Sequence, residues 1–180
     1  MKKLTTIILA AGMGTRMNST LPKVLHQIAN QSMLSHVVDK SKKLNSDKII
    51  IVVNKDFKIP KVEVNSKTIY VIQKNQLGTG DAIKSCLKNI DKNNNKVLVL
   101  YADVPLINNA TLSKLINLKF KNEVKILAFK KTEENNYGKL IIKNSLVEKV
   151  IEAKEFKTNN QPIDCNSGIF CASAEGLVKL

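Results

Sequence analysis

Four residues near the amino terminus have the types and spacing of a phosphate-binding loop. Gly12 and Gly14 follow an apolar run at residues 5–9, and Arg16 and Lys23 come shortly afterwards. Glycine allows unusual backbone angles, so that free N–H groups can converge on phosphate oxygens. Arg16 adds a guanidinium fork for a polyphosphate, and Lys23 adds a mobile point charge. The segment is therefore predicted to bind a polyphosphate where a buried strand ends.

The glycine pattern excludes two common phosphate loops, because Met17 stands where both the Walker A loop and the dinucleotide fingerprint require glycine. A bare Gly-x-Gly is equally compatible with a tight structural turn. The longer string is far more specific. It reads Leu-Ala-Ala-Gly-x-Gly-Thr-Arg-Met from Leu9 through Ala10 and Ala11, and Pro22-Lys23 follows it.

Asp103 is the candidate metal ligand. It comes just after the buried run at residues 96–101, at the edge where ligands bind in open α/β sheets. Mg²⁺ prefers a few protein oxygens together with substrate phosphates, which a single carboxylate can satisfy. The alternative is a loop aspartate that caps a turn with Pro105.

Apolar runs alternate with helical patterns in the first two thirds of the chain. Runs at residues 5–9, 48–53, 68–72 and 96–101 are nearly continuous, as in strands buried on both faces of a parallel sheet. Ser32 and either Asn108 or Asn109 are predicted helix caps, and another helix is predicted at 81–89. We therefore expect an α/β fold: a Rossmann-like, doubly wound, mostly parallel mixed sheet flanked by helices.

After Glu123 the gaps between apolar runs become short and turn-like. Further strands are predicted at residues 124–129, 139–142, 146–151 and 165–171, as mixed or antiparallel additions to the parallel core. Neither a repeat nor a linker is evident, so residues 1–180 are expected to form one domain, incomplete at its carboxyl end.

The bulk composition favours a soluble globular protein, with 43% hydrophobic and 24% charged residues. A net charge of +14 invites a nucleic-acid interpretation, but Arg16 is the only arginine among 29 basic residues, and nucleic-acid surfaces favour arginine. The cysteines favour a cytoplasmic location, because Cys86, Cys165 and Cys171 form no CxxC pair. The apolar run after Met1 imitates an export signal but leads directly into the glycine loop. No stretch is long enough to span a membrane.

Several motifs in a fixed order together resemble one family. They are the string from Leu9 to Lys23, Gln73, and residues 76–80, 101–106 and 136–138. The set resembles the amino-terminal uridylyltransferase domain of the bifunctional bacterial enzyme that makes UDP-N-acetylglucosamine, within the sugar nucleotidyltransferase superfamily. The resemblance covers essentially the whole chain.

The resemblance implies a reaction in which UMP passes from UTP to N-acetylglucosamine 1-phosphate and pyrophosphate leaves, with Mg²⁺ as cofactor, for cell-envelope precursor synthesis. The implied catalytic residues are Arg16, Lys23 and Asp103, with Asp103 also the metal ligand. The implied nucleotide-binding residues are Leu9, Ala10, Ala11, Gly12, Gly14, Lys23, Gln73, Gly78 and Thr79. The implied sugar-binding residues are Tyr101, Gly138, Glu152 and Asn166.

The chain departs from the family pattern at four positions. Asp81 stands where the family usually has His, Ala102 replaces Gly, Lys139 replaces Arg, and Ser167 replaces Thr. The family's catalytic domain continues further and there supplies an Asn as a second metal ligand, which is therefore expected beyond Leu180. Hexapeptide repeats are absent, so the acetyltransferase activity of the bifunctional enzyme is not expected.

Three alternatives stay open. The chain could be a nucleotidyltransferase for another sugar phosphate or a cofactor precursor. It could be a nucleotide-binding module without turnover. It could also be a basic RNA-associated protein, whose affinity would fall steeply with salt. The leading hypothesis has UTP and a sugar 1-phosphate as partners, no nucleic acid and no membrane, and leaves the oligomeric state undetermined.

Overall fold

Two units make up the fold in the computed structural model, which describes residues 3–12, 14, 17–57, 67–91, 96–119, 123–133, 135–156 and 161–178. The larger unit comprises Met1–Lys125 and Phe170–Leu180, and the smaller unit comprises Ile126–Ile169. The boundary lies close to Glu123, where the spacing of the apolar runs changes.

The strands are β1 Leu4–Leu9, β2 Gln27–Ile28, β3 Gln31–Ser32, β4 Lys48–Asn54, β5 Thr68–Gln73, β6 Lys96–Tyr101, β7 Val124–Lys131, β8 Lys139–Lys143, β9 Leu146–Ile151 and β10 Ile163–Ser173. The helices are α1 Met33–Lys43, α2 Thr79–Cys86, α3 Asn109–Leu115 and α4 Ala174–Val178.

The sheet of the larger unit is mixed and mostly parallel. β1 pairs in parallel with β4 on one side and with β6 on the other, and β5 continues the parallel set beyond β4. The last four residues of β10 pair antiparallel with β6. The strand order β5-β4-β1-β6-β10 confirms the predicted sheet type. Parallel pairing places the carboxyl ends of β5, β4, β1 and β6 along one edge.

Both faces of this sheet are covered, which explains why its strands are continuously apolar. Ile7 and Ile8 are successive residues of β1 and point to opposite faces, yet both are fully buried. Ile7 belongs to a core cluster that includes Ile83 of α2 and Leu177 of α4. Helix α1 also contacts β1 and buries Leu34 fully. The doubly wound α/β architecture is therefore confirmed.

Helix boundaries follow the predicted capping residues. The Ser32 hydroxyl accepts a hydrogen bond from the Ser35 N–H at 3.1 Å, and the Asn108 side chain accepts one from the Ala110 N–H at 2.8 Å. Helix α2 begins at Thr79 rather than at Asp81, because Gly78 takes a φ of 102° immediately before it. Residues 87–89 form a 3₁₀ turn rather than a continuation of α2.

The apolar run near the amino terminus is an element of the fold. It forms β1, the strand that lies between β4 and β6. In the described part of the chain, no helix has the length and apolar content to cross a bilayer.

The smaller unit is built around the β8–β9 hairpin. β8 and β9 pair antiparallel, with Leu140 opposite Val150. Asn144 and Ser145 join them with φ of 50° and 63°, the two positive values that a two-residue type I′ turn requires. β8 also pairs with β10 through Lys139 and Cys165, and β7 pairs with β10. The antiparallel additions expected after Glu123 are therefore present.

Candidate active site

The glycine loop leaves the centre of the sheet and is anchored by its neighbours on both sides. The Ala10 N–H donates to the Val52 carbonyl at 2.8 Å, and the Leu9 carbonyl accepts from the Ala102 N–H at 3.0 Å. The Asn54 side-chain amide donates to the Ala11 carbonyl at 3.3 Å. The side chains of Leu9, Ala10 and Ala11 are buried. These residues therefore fix where the loop begins, at the carboxyl edge of the sheet.

Gly14 brings the loop back against Lys23. Its φ is +61°, and a Cβ atom added there would lie 2.7 Å from the Lys23 Cβ, closer than side-chain carbons can approach. A larger residue would have to push Lys23 away. Gly12, in contrast, is exposed, and a Cβ there would meet nothing within 4 Å. Glycine at position 14 is thus required both by backbone angle and by space.

Lys23 and Asp103 meet although 80 positions separate them in the chain. The Lys23 Nζ lies 2.6 Å from Asp103 Oδ2. Lys23 begins a 3₁₀ turn, Lys23–Leu25, in which Val24 is buried, and Asp103 is the second residue after β6. The side chains are 36% and 32% exposed, so the pair is accessible to a ligand. Two of the three residues expected to do the chemistry are therefore in direct contact.

Gln73 lies at the end of β5 and is 4% exposed. Its Nε2 donates to the Gly78 carbonyl at 3.1 Å and to Asp81 Oδ2 at 2.8 Å. Gly78 thus lies beside Gln73, as the sequence interpretation requires. The side-chain amide of Gln73 is held in one orientation by two acceptors on the start of α2.

Thr79 and Tyr101 link the start of α2 to the end of β6. Their hydroxyl oxygens are 3.1 Å apart. Thr79 was predicted to contact the nucleotide and Tyr101 the sugar, so this contact joins one member of each set within the larger unit.

The other three predicted sugar-binding residues lie together in the smaller unit. The Asn166 N–H donates to the Gly138 carbonyl at 2.8 Å. A Cβ added at Gly138 would lie 3.1 Å from the Val150 Cγ1 and 3.6 Å from the Ile151 carbonyl. Glu152 is exposed and follows Ile151, whose register partner is Lys139. Gly138, Glu152 and Asn166 therefore cluster at one end of the β8–β9 hairpin.

Lys139 is 1% exposed, which is unusual for a lysine. Its Nζ donates to Asn135 Oδ1 at 2.6 Å, to the Tyr137 carbonyl at 2.7 Å and to the Asn135 carbonyl at 3.4 Å. Asn135 Oδ1 also accepts from the Tyr137 N–H at 3.0 Å. This cation folds the loop of residues 135–138 against the hairpin, and the loop ends at Gly138.

Comparison with known proteins identifies the family. A profile of the MobA-like NTP transferase domain matches residues 6–161. The chain belongs to the MobA-like NTP transferase family. The glycine loop, the Lys23–Asp103 pair and the contacts of Gln73 therefore lie within a nucleotidyltransferase domain.

Individual relatives agree with the family. Bifunctional protein GlmU of Wolbachia pipientis wMel is 39% identical over 181 residues, which cover 99% of this chain and 42% of that protein. GlmU of Buchnera aphidicola subsp. Schizaphis graminum is 37% identical over 179 residues, covering 98% of this chain and 38% of that protein. The chain therefore spans about two fifths of these relatives.

The fold agrees with solved structures. A candidate glucose-1-phosphate thymidylyltransferase from Bacillus anthracis, crystallised with sucrose, superposes with a TM-score of 0.78 at 20% identity. The match covers 97% of this chain and 73% of that one. At this identity the likeness concerns the nucleotidyltransferase fold.

Two expectations about the site stay predictions. Arg16, the other predicted phosphate ligand, lies outside the described residues. Within the described ranges, no three His, Cys, Asp or Glu side chains come together as a metal cluster, and the expectation for Mg²⁺ required only the single carboxylate of Asp103. Thiol chemistry also has no support, because burial raises the pKa of Cys86 to about 11 and that of Cys171 to about 12.

Sequence reasoning missed the roles of Asp81 and Lys139. Both were noticed only as departures from the family pattern. For Asp81 a signal was available. Asp81 follows Gln73 by eight positions and lies in the first turn of a helix, from which a carboxylate can reach back to the Gln73 side chain. For Lys139 the composition hid the signal, because lysine is abundant throughout the chain and is ordinarily exposed.

Proposed function

We propose that this chain is a uridylyltransferase that moves UMP from UTP to N-acetylglucosamine 1-phosphate. An oxygen of the sugar phosphate forms a bond to the α-phosphorus, the bond to the bridging oxygen breaks, and pyrophosphate leaves with the electron pair. The products are UDP-N-acetylglucosamine, a cell-envelope precursor, and pyrophosphate. Support comes from the nucleotidyltransferase family and from the motifs shared with the uridylyltransferase domain. We place the reaction in the cytoplasm.

The Lys23–Asp103 contact is the observation that carries the proposal. A phosphate nucleophile is already ionised at neutral pH, so the reaction needs no general base and depends on positioning and charge neutralisation. Lys23 supplies a cation that is held at 2.6 Å by a carboxylate and is still accessible to a ligand. On binding, a phosphate oxygen can replace the carboxylate as the partner of Lys23, and Arg16 is proposed to hold the β- and γ-phosphates.

In this proposal, three strand ends would each bind a separate part of UTP and its metal ion. Gln73 ends β5, the glycine loop follows β1, and Asp103 follows β6. With strands about 4.8 Å apart, three spacings separate β5 from β6 by roughly 14 Å. We propose that uracil is read by Gln73, Gly78 and Thr79, and that the phosphates lie over Gly12 and Gly14. Leu9, Ala10 and Ala11 place the loop beneath them.

The donor chemistry of Asp103 fits Mg²⁺. One carboxylate oxygen pairs with Lys23, and the described part of the chain gives Asp103 no second partner. Mg²⁺ needs few protein oxygens when substrate phosphates complete its coordination, so a single carboxylate suffices. When bound, Mg²⁺ would neutralise phosphate charge. The proposed sugar contacts are Tyr101 in the larger unit and Gly138, Glu152 and Asn166 in the smaller unit.

A pyrophosphate-release assay tests the proposal. The chain is incubated with each of UTP, CTP, GTP, TTP and ATP, combined with N-acetylglucosamine, glucosamine or glucose 1-phosphate. Release should be fastest for UTP with the N-acetyl sugar and should stop when EDTA removes Mg²⁺. A preference for another pair would identify a different nucleotidyltransferase. UTP binding without turnover would identify a binding module, and binding of RNA that falls with salt would contradict both.

A further inference from the structure

The Gln73 side-chain amide has only one free hydrogen-bonding group. Its two Nε2 hydrogens are used by the Gly78 carbonyl at 3.1 Å and Asp81 Oδ2 at 2.8 Å. Within the described residues no group donates a hydrogen bond to Oε1. This oxygen is not one of the fully buried side-chain atoms that lack a partner, so it is still in contact with solvent. What Gln73 offers a ligand is therefore an acceptor, although its side chain is almost entirely buried.

Asp81 is the stronger of the two groups that fix this orientation. Its carboxylate can only accept, and hydrogen bonds to a charged acceptor are stronger than those to a neutral carbonyl. Asp81 lies in the first turn of α2, where negative charge is favoured by the helix dipole. The same turn begins at Gly78, whose φ of 102° precedes the helix. Asp81 and Gly78 thus act from one rigid helix start.

The orientation of a glutamine amide decides which pyrimidine it can read. Uracil carries a hydrogen on its ring N3, whereas the N3 of cytosine is an acceptor. A glutamine that is free to rotate can serve either base by presenting its oxygen or its nitrogen. A glutamine fixed with Oε1 outward accepts from uracil N3–H, but it places one acceptor against another when it meets cytosine N3.

We propose that Asp81 is a positioning residue that sets base specificity by holding the Gln73 carbonyl oxygen toward the base. The inference rests on the proposed function, in which Gln73 reads the base of the nucleotide. Asp81 itself need not touch the nucleotide. Its effect is to favour uracil, whose ring N3 carries a hydrogen, over cytosine, whose N3 does not, and so to disfavour CTP.

The test is the ratio of UTP to CTP affinity in the Asp81→Ala variant of the full chain. Dissociation constants for each nucleotide are measured by calorimetry with Mg²⁺ and without a sugar phosphate, and kcat/KM is measured for both with the sugar phosphate. The UTP:CTP preference should fall about fivefold to tenfold, the effect expected of one typical hydrogen bond. CTP should gain while UTP loses little. UTP and CTP carry the same charge, so the ratio does not respond to the altered protein charge.

Two further variants keep the test decisive. Lys84→Ala changes an exposed residue of the same helix that is not a hydrogen-bond partner of Gln73, and should leave the ratio unchanged. Asp81→Asn preserves the shape of the side chain but can present either a donor or an acceptor, so it should lower the ratio even if the alanine variant fails to fold.

The outcomes separate the inference from the proposed function. If the wild-type chain prefers UTP and both Asp81 variants keep that preference, the positioning role is wrong while the uridylyltransferase assignment stands. If the wild-type chain binds UTP and CTP equally, the fixed amide does not select the base and the inference is overturned. If the wild-type chain binds neither nucleotide, the proposed function itself fails.

Discussion

Each unit has a loop that lies against a lysine, but the two lysines have opposite surroundings. In the larger unit the glycine loop lies against Lys23, and in the smaller unit the loop of residues 135–138 lies against Lys139. Lys23 is about one third exposed and pairs with the carboxylate of Asp103. Lys139 is buried, and the acceptors that the structure describes around it are neutral oxygens of Asn135 and Tyr137. The same residue type is thus available to a ligand in one region and enclosed in the other.

The difference predicts that Lys23 serves the proposed reaction and that Lys139 serves the fold. A partly exposed ion pair contributes little to stability, typically 0–1 kcal/mol, and can exchange its carboxylate for a phosphate at low cost. A buried ammonium group is expensive to desolvate and stays only if its hydrogen bonds are made. Removing it takes a donor away from the oxygens of Asn135 and Tyr137. Lys23 should therefore govern activity, and Lys139 should govern stability and the shape of its loop.

The largest effect is expected from Lys23→Ala. Loss of one preorganised charge at the reacting phosphate should lower kcat by about 10² to 10³, the range seen when a single stabilising donor is removed. The change in unfolding free energy should stay below about 1 kcal/mol. Alanine keeps the Cβ atom against which Gly14 packs, so the loop should not collapse. Pyrophosphate release and urea unfolding measure the two quantities.

The matched control is Lys42→Ala. Lys42 also pairs with an aspartate, Asp39 at 3.4 Å, and its side chain is 31% exposed, close to the value for Lys23. It should lose neither activity nor more than a few tenths of a kcal/mol of stability. Equal losses of activity in the two variants would mean that general positive charge, rather than the position of Lys23, supports the reaction.

The second effect is expected from Lys139→Met, and it should appear in stability. Methionine fills a similar volume but donates nothing, so the Asn135 and Tyr137 carbonyls lose their donor, while Asn135 Oδ1 keeps the Tyr137 N–H. The unfolding free energy should fall by about 2–4 kcal/mol. Because the loop ends at Gly138, the KM for the sugar phosphate should rise while the dissociation constant for UTP stays unchanged.

Lys139→Arg provides the comparison, because it keeps a cation that can donate to the same oxygens. It should retain more stability than the methionine variant. A methionine variant that unfolds at the wild-type urea concentration would show that the buried ammonium group does not hold the loop, and the contrast between the two lysines would then be wrong.

The extent to which the sequence predicted these regions depends on the kind of contact. The strand at residues 146–151 matches β9 at both ends, since its limits depend on local apolar content and on the Asn144-Ser145 turn. β6 also matches its predicted run at residues 96–101, and the other predicted strands extend their runs by one or two residues at one or both ends. β7 continues to Lys131 because backbone pairing with β10 persists after the apolar residues end.

For side chains far apart in the sequence, the sequence could predict that they lie near one another, but not which atoms would be in contact. The sequence placed Lys23 and Asp103 at one edge of the sheet, but the 2.6 Å contact depends on where the 3₁₀ turn that begins at Lys23 lies in the fold. The bond from Gln73 to Asp81 depends on α2 beginning at Thr79, earlier than the apolar pattern indicated. Burial of Lys139 runs against the ordinary preference of lysine, so only the fold could reveal it.

The smallest effect is expected from Gly14→Ala, which shifts Lys23 without removing it. The positive φ and the 2.7 Å approach of the new Cβ to the Lys23 Cβ should cost about 1–2 kcal/mol of stability. The loop is expected to relax by moving away from the turn at Lys23, so that UTP binding weakens about tenfold. Gly80→Ala is the control, because a Cβ there meets nothing within 4 Å and Gly80 has no positive φ. If Gly14→Ala binds UTP as tightly as the wild type, the close packing of the glycine loop on Lys23 is not what presents that lysine to the phosphates.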